Sequence, residues 1–490
     1  MTSEPDPHRR LSEIDAAFLY LERREIPLAI GGVFLFDAPL PFEEFVSAIE
    51  SKLDLIPRYR QVVAPPPFNL GHPTWEDYPR FDIRRHIHRM VLPEPGGEAE
   101  LEALAGQLFS QVMDRNQPLW DIHVLDGVSG GRGALIARIH HSLADGIAGA
   151  ALLKIMFDAT PDAQPVVPKP QARRTAAAQA EHSLVEALAS AVHSSLRNMI
   201  SAEAALLDFA QALLTDRMQT GLQAFVKLLP EWAKSAERLP FNRPCGAERK
   251  FCWTSVDFPD VQAIRERLGG TINDVVLAVV TRAIARYTKL HGQPVKGRFL
   301  RVVCPVNVRE EGQQSSLGNR ITFLPVVLPM DIEAPAEMLQ AVIARMEIMK
   351  SVRVAELVAI LGAWLGATPP PFQAMFWEGI PLIPLPVPLL NLICTNVPGS
   401  RTPLFALGRR MIASYPHLPT GYELGVGVAA QSYDGKIYFG LTADAQAAPD
   451  VGRLRDYMQA AFQDLRRAAR IRKARRRTAR EAADLTARAS

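Results

Sequence analysis

Cysteine is scarce in this chain, and its four copies, Cys245, Cys252, Cys304 and Cys394, are scattered without the paired spacing of a zinc site. A disulfide framework is therefore not expected, and the four read as reduced thiols of a cytosolic protein. The opening residues, Met1-Thr-Ser-Glu-Pro-Asp-Pro-His8, place acid and proline where a secretory signal needs basic and then apolar residues. Long unbroken apolar runs are also missing; a membrane-spanning helix needs about 20 such residues. The nearest approach is Leu357 to Ser400, in which Glu378 is the single charge. Its Pro369-Pro370-Pro371 and the four prolines of 379–390 (GIPLIPLPVPLL) argue against a spanning helix. A buried channel wall or an interfacial surface is the expectation. No exact internal repeat is visible.

What is present is a globular composition. The 490 residues are 48% hydrophobic and 22% charged, enough for two or three domains and a large core. The net charge of +3 is unevenly placed, because Arg466 to Arg480 holds nine Lys/Arg and no acid, leaving a mildly acidic body. Such a tail suits a polyanion. No aromatic-interleaved basic groove or zinc knuckle accompanies it, so no nucleic-acid partner is expected. An anionic membrane surface is the better match, and a solvated helix end is the plain alternative.

The order of patterns suggests a mixed α/β chain (α+β) in two lobes. Residues 1–160 form the expected N-terminal lobe. Pro-, Ala- and Gln-rich sequence from Pro161 leads into strongly helical crossover sequence, together residues 161–240. Residues 241–465 form the expected second lobe, and 466–490 the basic tail. The second lobe shows strands at Phe251 to Val256, Phe299 to Val308, Ile321 to Leu328 and Asn391 to Asn396. Glu423 to Gln431 and Lys436 to Leu441 then pair across Tyr433-Asp434-Gly435. A final helix is expected over Val451 to Leu465.

A formal G-x-S-x-G occurs at Gly127-Val128-Ser129-Gly130-Gly131. A nucleophile elbow requires strand, sharp turn and helix, and here a second strand follows, so Ser129 is assigned to a hairpin loop.

The informative stretch is Ile136-Ala-Arg-Ile-His140-His141-Ser-Leu-Ala-Asp145-Gly146. Gly133 to His140 reads as a buried strand, and Ile147 to Phe157 as an apolar helix. Successive strand residues point to opposite faces, so His140 and His141 cannot both face one substrate. One of them suits a general base for an alcohol, thiol or amine. A buried structural pair and two metal ligands are the other readings. Adjacent histidines make poor joint ligands, and no Cys or Glu cluster completes a tetrahedral set. Further on, Thr271-Ile272-Asn273-Asp274 caps the helix expected over Val275 to Leu290. The Asn273 amide or the helix-end N–H groups suit a developing oxyanion. Arg309 ends a buried strand and needs a carboxylate partner or an exit to solvent.

The His140-His141-x-x-x-Asp145-Gly146 pattern resembles the HHxxxDG signature of the bacterial wax ester synthase/diacylglycerol acyltransferase family, within the CoA-dependent acyltransferases. Collinear with it stand Ile56-Pro-Arg-Tyr-Arg60, Pro118-Leu-Trp120, Asn273-Asp274, Pro305-Val-Asn-Val-Arg309, Gly318-Asn-Arg320 and Asn396-Val-Pro-Gly399. Departures are local: Asn307 and Thr395 stand where serine is common, and Phe241 to Phe251 matches loosely. The resemblance implies two lobes of the chloramphenicol acetyltransferase type, joined by a helical linker, with the active-site channel between them. It implies His141 as the general base, His140 in support, Asp145 orienting and paired with Arg309, and Asn273 near the oxyanion. It further implies acyl-CoA as co-substrate, with no permanently bound cofactor and no metal. The acceptor would be diacylglycerol or a long-chain alcohol, met at a membrane or lipid-droplet surface. The expected location is cytoplasmic, on the inner face of the membrane or on lipid inclusions. Two rivals share the fold: a catalytically impaired lipid-binding protein, and a condensation-type enzyme using carrier-bound acyl groups.

Overall fold

Two six-stranded mixed sheets carry the fold. The computed structural model describes residues 10–66, 71–143, 152–163, 237–307, 321–354, 368–383 and 390–470, with isolated positions in 196–227 and 360–365. In chain order the strands are β1 (Ala29–Phe36), β2 (Gln61–Ala64), β3 (Thr74–Asp77), β4 (Ile87–Val91), β5 (Trp120–Asp126), β6 (Gly133–His140), β7 (Arg249–Asp257), β8 (Phe299–Asn307), β9 (Ile321–Pro329), β10 (Leu392–Pro398), β11 (Phe405–Ala406), β12 (Arg409–His417), β13 (Val426–Tyr433) and β14 (Lys436–Asp444). The main described helices are α1 (Glu13–Leu21), α2 (Phe42–Lys52), α3 (Glu98–Phe109), α4 (Phe258–Leu268), α5 (Ile272–Leu290), α6 (Pro335–Ser351), α7 (Pro370–Gly379) and α8 (Val451–Ala468).

The first sheet has the order β11-β12-β1-β6-β5-β4, and the second β7-β14-β13-β10-β8-β9. Strand β12 comes from the second half of the chain yet lies against β1, with Gly32 opposite Pro416. Sequence patterning does not announce it, since Arg409, Arg410 and Pro416 break the apolar alternation of a strand. Close approach at this seam depends on Gly32, where an added Cβ would stand 2.5 Å from the Tyr415 carbonyl oxygen.

Other elements follow from local chemistry. Strands β13 and β14 join at Tyr433↔Lys436, leaving Asp434 and Gly435 as a two-residue loop with φ of 40° and 76°. Both central residues are left-handed, as a type I′ turn demands. Strands β5 and β6 are antiparallel. Ser129 therefore sits in the hairpin loop between two strands, not at a strand-to-helix elbow. Helix α8 runs past the expected end at Leu465 to Ala468. Its Arg466 is buried, 2.8 Å from Asp260, so this first basic residue of the tail is occupied within the fold.

The two halves share their packing. Helix α5 is buried on nearly every face, between the second sheet and helices α4, α6 and α8. A second core unites Phe34, Phe45, Trp120 and Ile136 with Trp253, Met411 and Tyr438 from the second half. A buried ion pair ties the seam: Arg249 lies 3.2 Å from Asp444, and its other nitrogen donates to the carbonyls of Glu25 and Thr420. Removing one partner of such a pair costs about 3–5 kcal/mol. Among the described residues, no single helix is long and apolar enough to cross a membrane.

Candidate active site

Strand β6 delivers the two histidines into different surroundings. The His140 side chain is fully buried. Its Nδ1 accepts the Ser142 backbone N–H at 3.1 Å and lies 2.7 Å from the Ser142 hydroxyl. An accepting Nδ1 places the proton on Nε2. That atom stands 3.3 Å from Glu22 Oε1, itself almost wholly buried. Burial pushes the Glu22 carboxyl up, but His140, the Leu28 amide and Arg115 outweigh it, and the group ends below the usual carboxylate range. His140 thus has its lone pair engaged and its proton aimed at a carboxylate.

His141 is half-buried and lines a channel. Its ring stacks on Phe18 of α1, with centroids 3.9 Å apart and planes within 14°. Its backbone N–H donates to the Leu28 carbonyl, and the Leu28 N–H donates to Glu22. Glu22 therefore steadies both histidines, one through its side chain and the other through the backbone that holds it. Neither Glu22 nor Phe18 is apparent from sequence pattern. An acid after an apolar helix and an aromatic within it have many ordinary uses, and only the tertiary contact distinguishes them.

The channel has a volume of about 940 Å³. Its first-half wall is mostly apolar, including Phe34, Tyr59 and Trp120. The Pro118-Leu-Trp120 segment braces this wall: the indole N–H of Trp120 donates to the Tyr59 carbonyl at 2.8 Å, and His86 stacks on the same ring. Partial burial of Asp121 beside it raises its pKa, yet His123 and Arg138 bring it down to about 2. The second half supplies Asn273, Thr395, Asn396 and Gln431. Ser414 donates to Gln431 Oε1 at 2.8 Å, fixing that amide across the seam. Cys304 and Cys394 sit on neighbouring strands in the same wall, and burial pushes both thiols up, Cys394 to about 12. They are protonated wall residues.

Asn273 does not cap its helix. Helix α5 starts at Ile272, and Thr271 is its cap, in reciprocal hydrogen bonds with Asp274. Asn273 takes no part in this capping box and lines the channel instead. Asp145 and Arg309, and hence their expected pairing, lie outside the described residues.

The channel also reaches the surface beside α7. Ile380 and Pro381, just after that helix, belong to its lining. Phe372, Met375, Phe376, Leu382 and Ile383 around them are exposed. The segment is held by Arg23 donating to the Glu378 carbonyl and Tyr422 donating to the Ile383 carbonyl.

Two mixed-sheet lobes, a strand exchanged between them and a histidine on the wall of a shared channel define an acyltransferase-type fold of the chloramphenicol acetyltransferase class. The wax ester synthase/diacylglycerol acyltransferase catalytic domain matches residues 11–276, and the WS/DGAT C-terminal domain matches residues 317–466. The chain is 30% identical over 457 residues to the "Probable diacyglycerol O-acyltransferase tgs1" of Mycobacterium tuberculosis, covering 91% of this chain and 93% of that one. It is 27% identical to the "Probable diacyglycerol O-acyltransferase tgs2" of the same organism, covering 93% and 98%. Its fold is similar to the wax ester synthase/diacylglycerol acyltransferase from Marinobacter aquaeolei VT8, with a TM-score of 0.66 at 23% identity over 94% of this chain and all of that one. The first condensation domain of the calcium-dependent antibiotic synthetase shares the fold at a TM-score of 0.58 and 14% identity, over 95% of this chain and 97% of that one. The chain belongs to the wax ester synthase/diacylglycerol acyltransferase family. It is an O-acyltransferase enzyme of that family, forming triacylglycerol or wax ester.

Proposed function

We propose that the enzyme transfers a long-chain acyl group from acyl-CoA to diacylglycerol or a long-chain alcohol, with His141 as general base. The observation that carries this reading is the contrast between the histidines. His141 lines the channel, whereas the Nδ1 lone pair of His140 is already engaged. His141 takes the acceptor's hydroxyl proton as the oxygen attacks the thioester carbonyl. The tetrahedral oxyanion is met by preorganised donors, with the Asn273 amide the candidate among the described residues. Collapse breaks the C–S bond, and the imidazolium returns its proton to the CoA thiolate. Asp145 orients His141, and Arg309 holds Asp145.

The same reading places the enzyme at a lipid surface, on the inner membrane face or on lipid inclusions. The exposed apolar side chains around α7 support it, because they continue into residues that line the channel. A sparingly soluble acceptor then passes from lipid to channel without crossing water.

The deciding assay is purified full-length protein with palmitoyl-CoA and a panel of acceptors, resolving products and measuring free CoA. Ester formation with stoichiometric CoA release supports the proposal. Turnover confined to carrier-bound acyl donors would make it a condensation-type enzyme. Lipid binding without turnover of any donor would leave only the binding role.

A further inference from the structure

Gln431 puts an amide into a stretch of the channel lined mainly by hydrocarbon. The side chain is 7% exposed, and its Oε1 accepts from Ser414 of β12, which is 1% exposed. The two residues belong to different sheets, so a contact across the seam fixes the amide plane. Ser414 is the one hydrogen-bond partner of that side chain among the described residues. With Oε1 engaged, both protons of Nε2 remain to be taken. A seam contact needs the oxygen only. An N–H2 group without an acceptor among apolar neighbours is unfavourable, so the bond to Ser414 does not account for an amide here.

Strand register fixes how far this amide lies from His141. Ser414 is opposite Phe34 on β1, and Phe34 is opposite Leu135 on β6. His141 continues β6, its N–H donating to the Leu28 carbonyl. Leu135 and His141 are six positions apart, roughly 20 Å at about 3.4 Å per residue. An oxyanion donor must stand about 3 Å from the reacting oxygen, so Gln431 takes no part at the thioester. Between the two levels Leu135, Ala137 and Ile139 share the face of His141, since alternate strand residues point the same way. Ile30 and Phe34 of β1 continue that apolar wall. The span is roughly that of an extended palmitoyl chain.

We propose that Gln431 is a specificity residue for the far end of the chain, donating from Nε2 to an oxygen carried there. The ligand class is a long hydrocarbon chain with a ketone, hydroxyl or ether oxygen at or beside its terminus. This rests on the acyl-CoA reading above, with His141 marking the reacting end. A fixed donor favours the chain that pairs it and penalises a bare methyl end, which leaves the amide unpaired. Such a chain can arrive as the acyl group of the donor or as the alcohol, so the test separates the two sources.

The test uses the full-length enzyme and Gln431→Met, which keeps the length of the side chain and removes its donor. Palmitoyl-CoA is compared with its analogue bearing a ketone on the penultimate carbon, a group that accepts hydrogen bonds and cannot itself be acylated. Hexadecanol is compared with the matching keto alcohol in a second arm. In at least one arm the wild type should use the keto chain with the higher kcat/KM. Gln431→Met should shift that ratio about tenfold toward the plain chain, the scale of one hydrogen bond whose partner is left unpaired. Ser414→Ala frees the amide from its brace and should shift the same ratio by less; it serves where Gln431→Met does not fold. A preference in the acyl arm places the donor's chain at Gln431, one in the alcohol arm places the acceptor's, and either supports the assignment. A wild type without preference for the keto chain in either arm, or a ratio that neither variant moves, overturns it and returns Gln431 to a seam contact. No ester from palmitoyl-CoA with hexadecanol or dioleoylglycerol would remove the acyl-CoA reading beneath it, an outcome distinct from equal use of the two chains.

Discussion

His140 Nε2 and Glu22 Oε1 lie 3.3 Å apart, with neither side chain exposed by more than 1%. Their contact separates two roles that adjacent histidines otherwise share. Replacing His141 by Ala should lower turnover by about 10²–10⁴-fold, the usual contribution of a general base. His140→Ala should keep measurable activity and lose stability instead, by about 1–3 kcal/mol for the buried partner left unsatisfied. Kinetics and thermal melts on the two variants check this, and equal total loss in two well-folded proteins would refute the division.

The same contact sets an acid-side prediction. Glu22 titrates below its ordinary 4.5, so the stability it contributes is present above that value and is lost as pH falls through the lowered one. Glu22→Gln should destabilise the protein at pH 7 and soften its acid unfolding. Denaturant midpoints at pH 7 and pH 4 measure both effects.

Asn273 stands beside a capping box that is complete without it. Asn273→Ala should therefore leave the melting temperature near that of the parent while kcat falls about 10²–10³-fold, the loss seen when one oxyanion donor is removed. A matching fall in stability would return Asn273 to the helix terminus as a structural residue.

Glu102 on α3 faces the second half, accepting the Trp253 N–H at 3.3 Å and lying 3.4 Å from Arg455. Burial outweighs Arg455 and raises its pKa from 4.5 to about 7. The folded protein then holds a proton that the unfolded chain releases between those values. Stability contributed here must fall as pH rises from 4.5 to 7 and level off above. Glu102→Gln should flatten that slope. Urea midpoints at pH 5 and pH 8 would show it, and an unchanged slope would assign the titration to another group.

The lipid-surface proposal makes its own demand on α7. Phe372 and Met375 are 61% and 66% exposed, so changing both to Ser should leave folding intact. Vesicle flotation should weaken, along with activity on diacylglycerol in vesicles, while activity on a short soluble alcohol survives. Deleting 471–490 should reduce flotation with anionic vesicles at low salt, since each basic residue near such a surface contributes about 1 kcal/mol. Undiminished flotation in both variants would leave the apolar segment and the tail as solvated surface.

Much of the fold was legible because its signals are local. Alternating and apolar runs mark β6, β8 and β14, the Asp434-Gly435 turn marks the last hairpin, and a strand after Ser129 excludes a nucleophile elbow. The His140-His141 pair marked the site through the opposite faces of successive strand residues. Long-range relations carried no such trace. Strand β12 was missed because its polar and proline-broken pattern becomes a strand only against β1, far away in sequence. Sequence alone groups Asn273 with the helix cap because the choice between Thr271 and its neighbours depends on backbone geometry at the first turn. The engagement of His140 by Glu22 and Ser142 and the stacking of His141 on Phe18 are settled by tertiary packing alone. The sequence by itself determined which residue types and local elements were available. Tertiary structure decided which of them meet, because burial, proton placement and channel walls arise only when distant segments exclude water together.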